Sequence, residues 1–331
     1  MGDVLHVIPA AVALRRLFPE ARIAWAVEAH WSPLLEGEMG LDEVLAVPLN
    51  RWRRDKLGGA SRRALLDSLG VLRREAFDLA IDFQGLLKSA ALAGWTGAAA
   101  RLGFAREQLR ESASALFYTR SWAAGGEHVV DRCLALASAA AGGADPGAVA
   151  FPLPQGELSF WLPAEDFLLA SPRAGWPGKE WPPEYYAELA RLAYRERGVQ
   201  LVLDGGPAEE EYLRWIAALA GEGACRVHVS TLPELIGANR RARAVLGVDS
   251  GPMHLAAALS RPGVALFGPT DPARNGPYGS SLSVLRDDNV VTTYKRQTSI
   301  HPSMRALDPP RVWRALRERM DEAAEESPRS S

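Results

Sequence analysis

Two short apolar runs near the carboxyl end of the chain constrain its fold most strongly. Val245 to Val248 is followed by Asp-Ser-Gly-Pro and then by an Ala/Leu-rich segment that ends at Leu259. Val264 to Phe267 comes next and is broken by Gly-Pro-Thr-Asp-Pro. Short apolar runs bounded by turn residues are typical of buried strands, and Ala/Leu-rich segments are typical of helices. The pattern therefore predicts two adjacent strand-to-helix junctions of a parallel sheet.

The residues at these junctions suit an anionic ligand. Ligands of open parallel sheets bind at the carboxyl ends of the strands, where Asp249, Ser250, Gly251 and Thr270 fall. Asp249 or Ser250 can cap the helix, and the free N–H groups of its first turn attract a phosphate. His254, one turn further along, can donate to a phosphate or sugar oxygen. The alternative is an ordinary capped helix with a partly buried histidine.

Length, charge and cysteine content narrow the class of protein. A chain of 331 residues suits two domains that each bury a core. A net charge of −2 does not favour nucleic acid as a partner. Cys133 and Cys225 are far apart and lack a metal-ligand spacing, so neither a disulfide framework nor a zinc site is predicted. With no secretory signal and no long apolar run, the protein is expected to be cytoplasmic.

The first half of the chain alternates strand and helix patterns, which predicts a parallel α/β sheet. A Gly-, Ala- and Pro-rich segment, residues 142–156, is interpreted as a linker between domains 1–150 and 151–331. The predicted helices of the first half cover residues 7–19, 61–75 and 128–141, and a further Ala-rich helix begins after Ser89. Its predicted strands cover 23–27, 41–47 and 79–82.

The second half repeats this alternation. Its predicted strands cover residues 166–171 and 199–203 besides the two at the junctions, and its predicted helices cover 185–197 and 309–324. Lys179 lies in a Gly/Pro/Trp loop after the first of these strands, where it can bind a phosphate or can be a plain surface lysine. Glu209 to Glu211 open a helix, where they either stabilise the helix dipole or supply a carboxylate to a ribose diol.

A compact basic cluster lies in a predicted loop of the first half. Arg51, Arg53 and Arg54 surround Trp52. Guanidinium groups bind carboxylates and phosphates with two parallel hydrogen bonds, so the cluster can clamp an anionic ligand. The alternative is a solvated basic loop.

Several segments together resemble one family. They are Gly2-Asp-Val-Leu-His6 with Pro9, Asp82-Phe-Gln-Gly-Leu-Leu-Lys-Ser-Ala90, Arg110-Glu111 with Leu116-Phe-Tyr118, Asp249-Ser-Gly-Pro-Met-His254 and Gly268-Pro-Thr-Asp-Pro272. In this order they resemble the bacterial lipopolysaccharide heptosyltransferases of glycosyltransferase family 9, and the basic cluster looks most like heptosyltransferase I. The resemblance implies the α/β fold class GT-B, with two Rossmann-like parallel-sheet domains facing across a cleft.

The resemblance also implies an activity. It is the inverting, metal-independent transfer of L-glycero-D-manno-heptose from ADP-heptose to the Kdo residue of lipid A, without a cofactor. The partners implied are ADP-heptose and Kdo-lipid A at the inner membrane surface, reached peripherally by a monomer without a transmembrane segment. The implied general base is Asp3. The implied donor-binding residues are Lys179, Glu209, Glu210, Asp249, Ser250, Gly251, His254 and Thr270, and the implied acceptor-binding residues are Arg51, Arg53, Arg54, Lys88 and Arg110.

One departure from the family pattern concerns the amino terminus. Family members have a strand and a short loop before the Gly-Asp motif, and this sequence shows none before Gly2. The first domain is therefore expected to lack its first strand, unless Met1 is an internal methionine taken as the start. The alternatives are heptosyltransferase II, another GT-B sugar-nucleotide enzyme such as an epimerase, or an inactive nucleotide-sugar binder if the truncation is real.

Overall fold

The computed structural model describes residues 1–47 and 59–326. It divides the chain into two units. The N-terminal unit is Asp3–Pro154, and the C-terminal unit is Gln155–Ser331 together with Met1 and Gly2. The division falls inside the Gly-, Ala- and Pro-rich segment of residues 142–156.

The C-terminal unit is built on one parallel sheet of six strands, in the spatial order β11-β10-β9-β6-β7-β8. Its short apolar runs form the strands because a parallel sheet is covered on both faces. The strands are β6 (Phe167–Ser171), β7 (Gln200–Gly205), β8 (Cys225–Val229), β9 (Ala244–Val248), β10 (Gly263–Phe267) and β11 (Leu282–Arg286).

Helices surround this sheet. They are α5 (Pro183–Arg197), α6 (Glu210–Ala220), α7 (Leu232–Arg241), α8 (Gly251–Ala258), α9 (Pro272–Asn275), α10 (Pro302–Arg305) and α11 (Pro309–Glu326). Apolar residues of α5, α6 and α11 form one buried cluster with the strands. Trp181, just before α5, is fully buried in it and donates its indole N–H to the Leu307 carbonyl at 2.8 Å.

The strand order reverses beside β6. The chain runs outward through β7 and β8, and β9 then pairs with the other edge of β6. Such a reversal leaves a crevice at the carboxyl ends of the two central strands, where ligands of open α/β sheets bind. The loops that follow β6 and β9 are therefore neighbours, although about seventy residues of sequence separate them.

The N-terminal unit contains two parallel sheets, whereas the sequence alternation predicted one. The first sheet pairs β1 (Ala24–Val27) with β2 (Glu43–Ala46), and the second has the order β3-β4-β5. Within the described residues no strand precedes the first helix or joins β1 to β3. The remaining elements are β3 (Leu79–Asp82), β4 (Ala100–Phe104), β5 (Arg120–Trp122), α1 (Gly2–Leu17), α2 (Gly59–Arg74), α3 (Leu87–Trp95) and α4 (Val129–Ala140).

Most of the predicted helices and strands are confirmed with small shifts of their ends. The sequence did not predict β4, β5, β8, β11, α7 and the short helices α9 and α10. In the part of the chain that the structure describes, no helix is both long and apolar enough to cross a membrane. Cys133 and Cys225 are free thiols, and burial raises the pKa of each to about 12.

Candidate functional site

A lysine, an aspartate and a threonine meet at the carboxyl ends of three adjacent strands of the C-terminal unit. Lys179 comes from the loop after β6, Asp249 follows β9 and Thr270 follows β10. The Lys179 Nζ donates to Asp249 Oδ2 at 2.7 Å, and the Thr270 hydroxyl donates to the same oxygen at 2.6 Å. Asp249 and Thr270 are buried, while the Lys179 side chain keeps 19% of its surface exposed. The ammonium group is therefore held in place at the ends of these strands, and part of the Lys179 side chain remains exposed.

The amino end of α8 lies next in the chain after this aspartate. Ser250 occupies the N-cap position in an extended conformation, but its side chain makes no capping hydrogen bond. Its buried hydroxyl oxygen has no hydrogen-bond partner in the structure. Ser250 therefore holds the predicted cap position, but neither predicted side chain makes the capping hydrogen bond, and Asp249 instead accepts from Lys179 and Thr270. Gly251 begins the helix, and His254 is buried one turn further on.

The loop that carries Lys179 is anchored on both sides of the lysine. Residues Pro177–Lys179 form a short turn, and a side chain at Gly178 would collide with the Trp176 ring. On the other side, Arg173 donates to the buried Glu180 carboxylate at 3.0 Å. Burial raises the pKa of Glu180, while the Arg173 charge opposes that shift. Since the loop is fixed at both ends, the position of the Lys179 ammonium group is determined by the fold.

The three glutamates after β7 have different surroundings. Glu209 accepts a hydrogen bond from the Gly206 backbone N–H at 2.9 Å and lies close enough to Glu180 to raise its pKa. Glu210 pairs with Arg214 at 2.6 Å on the helix surface, and Glu211 is exposed. Of the three, Glu209 is the one whose charge acts on Glu180 in the anchored Lys179 loop.

A second group of polar side chains lies in the N-terminal unit. Asp3 is in the first turn of α1, and its side chain is 58% exposed. Gln84 Nε2 donates to Asp3 Oδ2 at 3.0 Å, and Arg110 Nη1 lies 3.9 Å from the same oxygen. Lys88, in the first turn of α3, is exposed four residues after Gln84. The structure therefore brings the side chains of Asp3, Gln84 and Arg110 together.

The buried Asp82 holds the turn that carries Gln84. Asp82 ends β3, and its Oδ1 accepts from the backbone N–H groups of Gln84 at 2.9 Å and Gly85 at 3.2 Å. Its Oδ2 accepts from the hydroxyls of Tyr118 at 2.7 Å and Ser89 at 3.0 Å. Burial and the Asp82 charge raise the pKa of Tyr118 far above its ordinary value, so the phenol remains a donor. The turn after β3 is thereby held rigidly.

Sequence reasoning missed Gln84, Asp82 and Tyr118 as parts of this site. A signal for Asp82 was present, because an aspartate at the end of a strand with a glycine three residues later is typical of a turn held by its side chain. Arg51, Arg53 and Arg54 lie outside the described residues. Within residues 1–47 and 59–326 no three His, Cys, Asp or Glu side chains form a group that could hold a metal ion.

Comparison with known proteins relates this geometry to one family. Residues 68–303 match the profile of the family described as glycosyltransferase family 9 (heptosyltransferase). The chain is 32% identical to lipopolysaccharide heptosyltransferase 1 of Pseudomonas aeruginosa, over 87% of this chain and 81% of that protein. It is 33% identical to lipopolysaccharide heptosyltransferase 1 of Escherichia coli, over 86% of this chain and 90% of that protein.

A solved structure extends the similarity to the fold. The E. coli heptosyltransferase WaaC with ADP-2-deoxy-2-fluoro heptose superposes with a TM-score of 0.78 at 26% identity, covering 98% of this chain and 96% of the other. Together with the parallel α/β sheets of the two units, this similarity confirms the predicted GT-B fold class.

Proposed function

We propose that this chain, which belongs to glycosyltransferase family 9, transfers L-glycero-D-manno-heptose from ADP-heptose to a Kdo residue of Kdo-lipid A. This is the heptosyltransferase I reaction of lipopolysaccharide core synthesis. The observation that carries the proposal is the anchored Lys179 at the reversal point of the C-terminal sheet. It offers a fixed cation where an open α/β sheet binds a nucleotide, in a chain similar to a structure with an ADP-sugar.

The C-terminal unit takes the donor in this proposal. Lys179 and the free N–H groups at the start of α8 bind the pyrophosphate, together with the Ser250 hydroxyl, which lacks a partner within the protein. When the bond between the anomeric carbon and the phosphate oxygen breaks, ADP leaves with additional negative charge. Fixed positive groups stabilise that charge without rearranging. Among the glutamates, Glu209 is the better ribose ligand because Glu210 is already paired with Arg214.

The N-terminal unit supplies the base. An inverting transfer requires the acceptor hydroxyl to attack the anomeric carbon from the face opposite the leaving phosphate, while a carboxylate removes the hydroxyl proton. Asp3 suits this role because its side chain is exposed and its neighbours Gln84 and Arg110 are donors. Arg110 and Lys88 are exposed cations beside it, suited to the carboxylate of Kdo.

The experiment that tests the proposal is a transfer assay with purified protein. We expect ADP-heptose and detergent-dispersed Kdo-lipid A to give ADP and an acceptor heavier by one heptose, detected by mass spectrometry. Transfer only to an acceptor that already carries the first heptose would instead establish heptosyltransferase II. ADP-heptose binding without transfer to either acceptor would establish a nucleotide-sugar binder and overturn the proposal.

The basic cluster of Arg51, Arg53 and Arg54 gives a prediction about acceptor binding. Kdo-lipid A presents carboxylates and phosphates at the cytoplasmic face of the inner membrane, where we propose that the enzyme binds peripherally. Replacing the three arginines together by Gln is expected to raise the acceptor KM and to reduce its dependence on salt, because screened charge pairs are lost. The ADP-heptose KM is expected to stay unchanged in the same steady-state measurements.

A matched control removes the same charge elsewhere in the N-terminal unit. Arg73, Arg74 and Arg120 are exposed, and their joint replacement by Gln lowers the net charge equally. This control should change the acceptor KM much less than the cluster variant does. A donor defect with an unchanged acceptor KM in the cluster variant would contradict the assignment.

Metal independence gives a second prediction. Lys179 and the α8 N–H groups supply positive charge to the departing ADP, so the proposal needs no divalent cation at that point. We expect turnover to be the same in EDTA and in added Mg²⁺. A loss of turnover in EDTA that Mg²⁺ restores would show that a metal ion takes part in the reaction.

A further inference from the structure

We infer that Gln84 is a positioning residue that orients the Asp3 carboxylate for proton removal. The inference rests on the proposed function, in which Asp3 is the general base. Gln84 Nε2 donates to Asp3 Oδ2 at 3.0 Å, a distance typical of an N–H···O hydrogen bond. Asp3 lies in the first turn of a helix and its side chain is 58% exposed, so a hydrogen bond from a neighbouring side chain can select its orientation.

The hydrogen bond distinguishes the two carboxylate oxygens. Gln84 donates to Oδ2, and the Arg110 guanidinium approaches the same oxygen at 3.9 Å. Oδ1 is then the oxygen available to accept the proton of the acceptor hydroxyl. A base is effective only when the accepting atom lies within hydrogen-bond reach of that proton. Holding Oδ2 fixes the plane of the carboxylate and therefore the position of Oδ1.

Gln84 can orient Asp3 because its own backbone is fixed. Its N–H donates to the buried Asp82 carboxylate, which also accepts from the Gly85 N–H and from the Tyr118 and Ser89 hydroxyls. A carboxylate with four donors in a buried setting resists displacement, since each lost bond leaves a buried charge less well satisfied. Asp82 at the end of β3 therefore fixes the backbone of Gln84, and the Gln84 side chain in turn donates to Asp3.

The contact between Tyr118 and Asp82 requires a glycine at position 103. A side chain at Gly103 in β4 would collide with the Tyr118 ring, so glycine is required for the phenol to reach Asp82. The glycine lies inside β4 and lacks a side chain to pack, which is unfavourable in a strand interior. Its presence is explained by the support that Tyr118 gives to the turn carrying Gln84.

The inference predicts the kinetics of Gln84→Leu, which removes the donor and preserves the bulk of the side chain. We expect kcat to fall about 10- to 100-fold, because misplacing a catalytic group has effects of this size. ADP affinity by calorimetry and the thermal unfolding temperature are expected to stay unchanged. Gln84→Glu should be at least as impaired, since it places a second carboxylate beside Asp3. A Glu variant with normal turnover would show that only the size of residue 84 matters.

Gln200→Leu is the matched control for loss of one side-chain hydrogen bond. Gln200 Nε2 donates to the Gly223 carbonyl at 2.7 Å, at the beginning of β7 and away from the carboxyl ends of the strands. We expect this variant to keep normal turnover per folded molecule. Equal kinetic losses in the two variants would contradict a specific role for Gln84.

A double-mutant cycle separates positioning from a general structural effect. If Gln84 acts only by orienting Asp3, adding Gln84→Leu to Asp3→Ala should lower the residual rate no further. Multiplied losses in the double variant would overturn the inference. If Asp3→Ala alone has normal turnover, the proposed base is wrong and the proposed function fails at that step. If Asp3→Ala is impaired while Gln84→Leu is normal, only the positioning role fails.

Discussion

Asp3→Ala is expected to lower turnover by about 10²-fold or more, because loss of a general base has an effect of this size. The affinity for ADP-heptose should stay within a few-fold, since the proposed donor contacts are all in the C-terminal unit. Single-turnover kinetics with saturating donor measure the first quantity, and calorimetric titration with ADP-heptose in the absence of acceptor measures the second. The two together separate a chemical defect from a binding defect.

Glu20→Ala is a suitable control for Asp3→Ala. It removes one exposed carboxylate from the N-terminal unit and changes the net charge by the same amount. Its turnover should be normal. Near-normal turnover in Asp3→Ala itself would reject the carboxylate as the base, and a large loss of ADP affinity would show that Asp3 contributes to the donor site.

Strands that are apolar and short were predictable because burial on both faces leaves a clear sequence pattern. The runs that became β9 and β10 are wholly buried, so no polar residue interrupts them. Strand β4 contains Arg101 and Gly103, and β8 contains Arg226 and His228. Gly103 is explained by a local contact, because the Tyr118 ring occupies the space that a side chain at this position would need. The interrupted pattern no longer indicates a strand.

Residues of the candidate site were predictable from the sequence only where a short local pattern is typical of a binding site. A glycine-proline helix start after a strand is a signal for an anion site, although the same residues also suit an ordinary capped helix. The contact of Lys179 with Asp249 depends on β9 pairing with β6 rather than with β8, and a single sequence does not reveal that strand order. Gln84 has an uncharged side chain in a loop, and only the fold shows that it reaches Asp3 across eighty-one positions.

Lys179→Ala should have the largest effect on the donor site. A hydrogen bond to a charged group contributes about 1.5–3 kcal/mol, so ADP should bind about 10- to 100-fold more weakly. Asp249→Ala should also weaken ADP binding, because it releases the Lys179 ammonium and the Thr270 hydroxyl from their common acceptor. Calorimetric titration measures both. Arg197→Ala, which removes an exposed cation paired with Asp321, should bind ADP normally.

Stability and binding must be separated for Lys179, because its removal leaves the buried Asp249 carboxylate with the Thr270 hydroxyl but without its cation. Removing one partner of a buried ion pair destabilises a fold by about 3–5 kcal/mol. Because Lys179 is partly exposed, Lys179→Ala should unfold at a lower temperature but lose less free energy of unfolding than that. Adding Asp249→Asn removes the isolated charge and should restore much of the lost thermal stability. ADP affinity should remain low in the double variant, since the cation is still missing. Recovery of ADP affinity together with stability would show that Lys179 supports the fold alone, and unchanged affinity in both Lys179→Ala and Asp249→Ala would reject the pyrophosphate site.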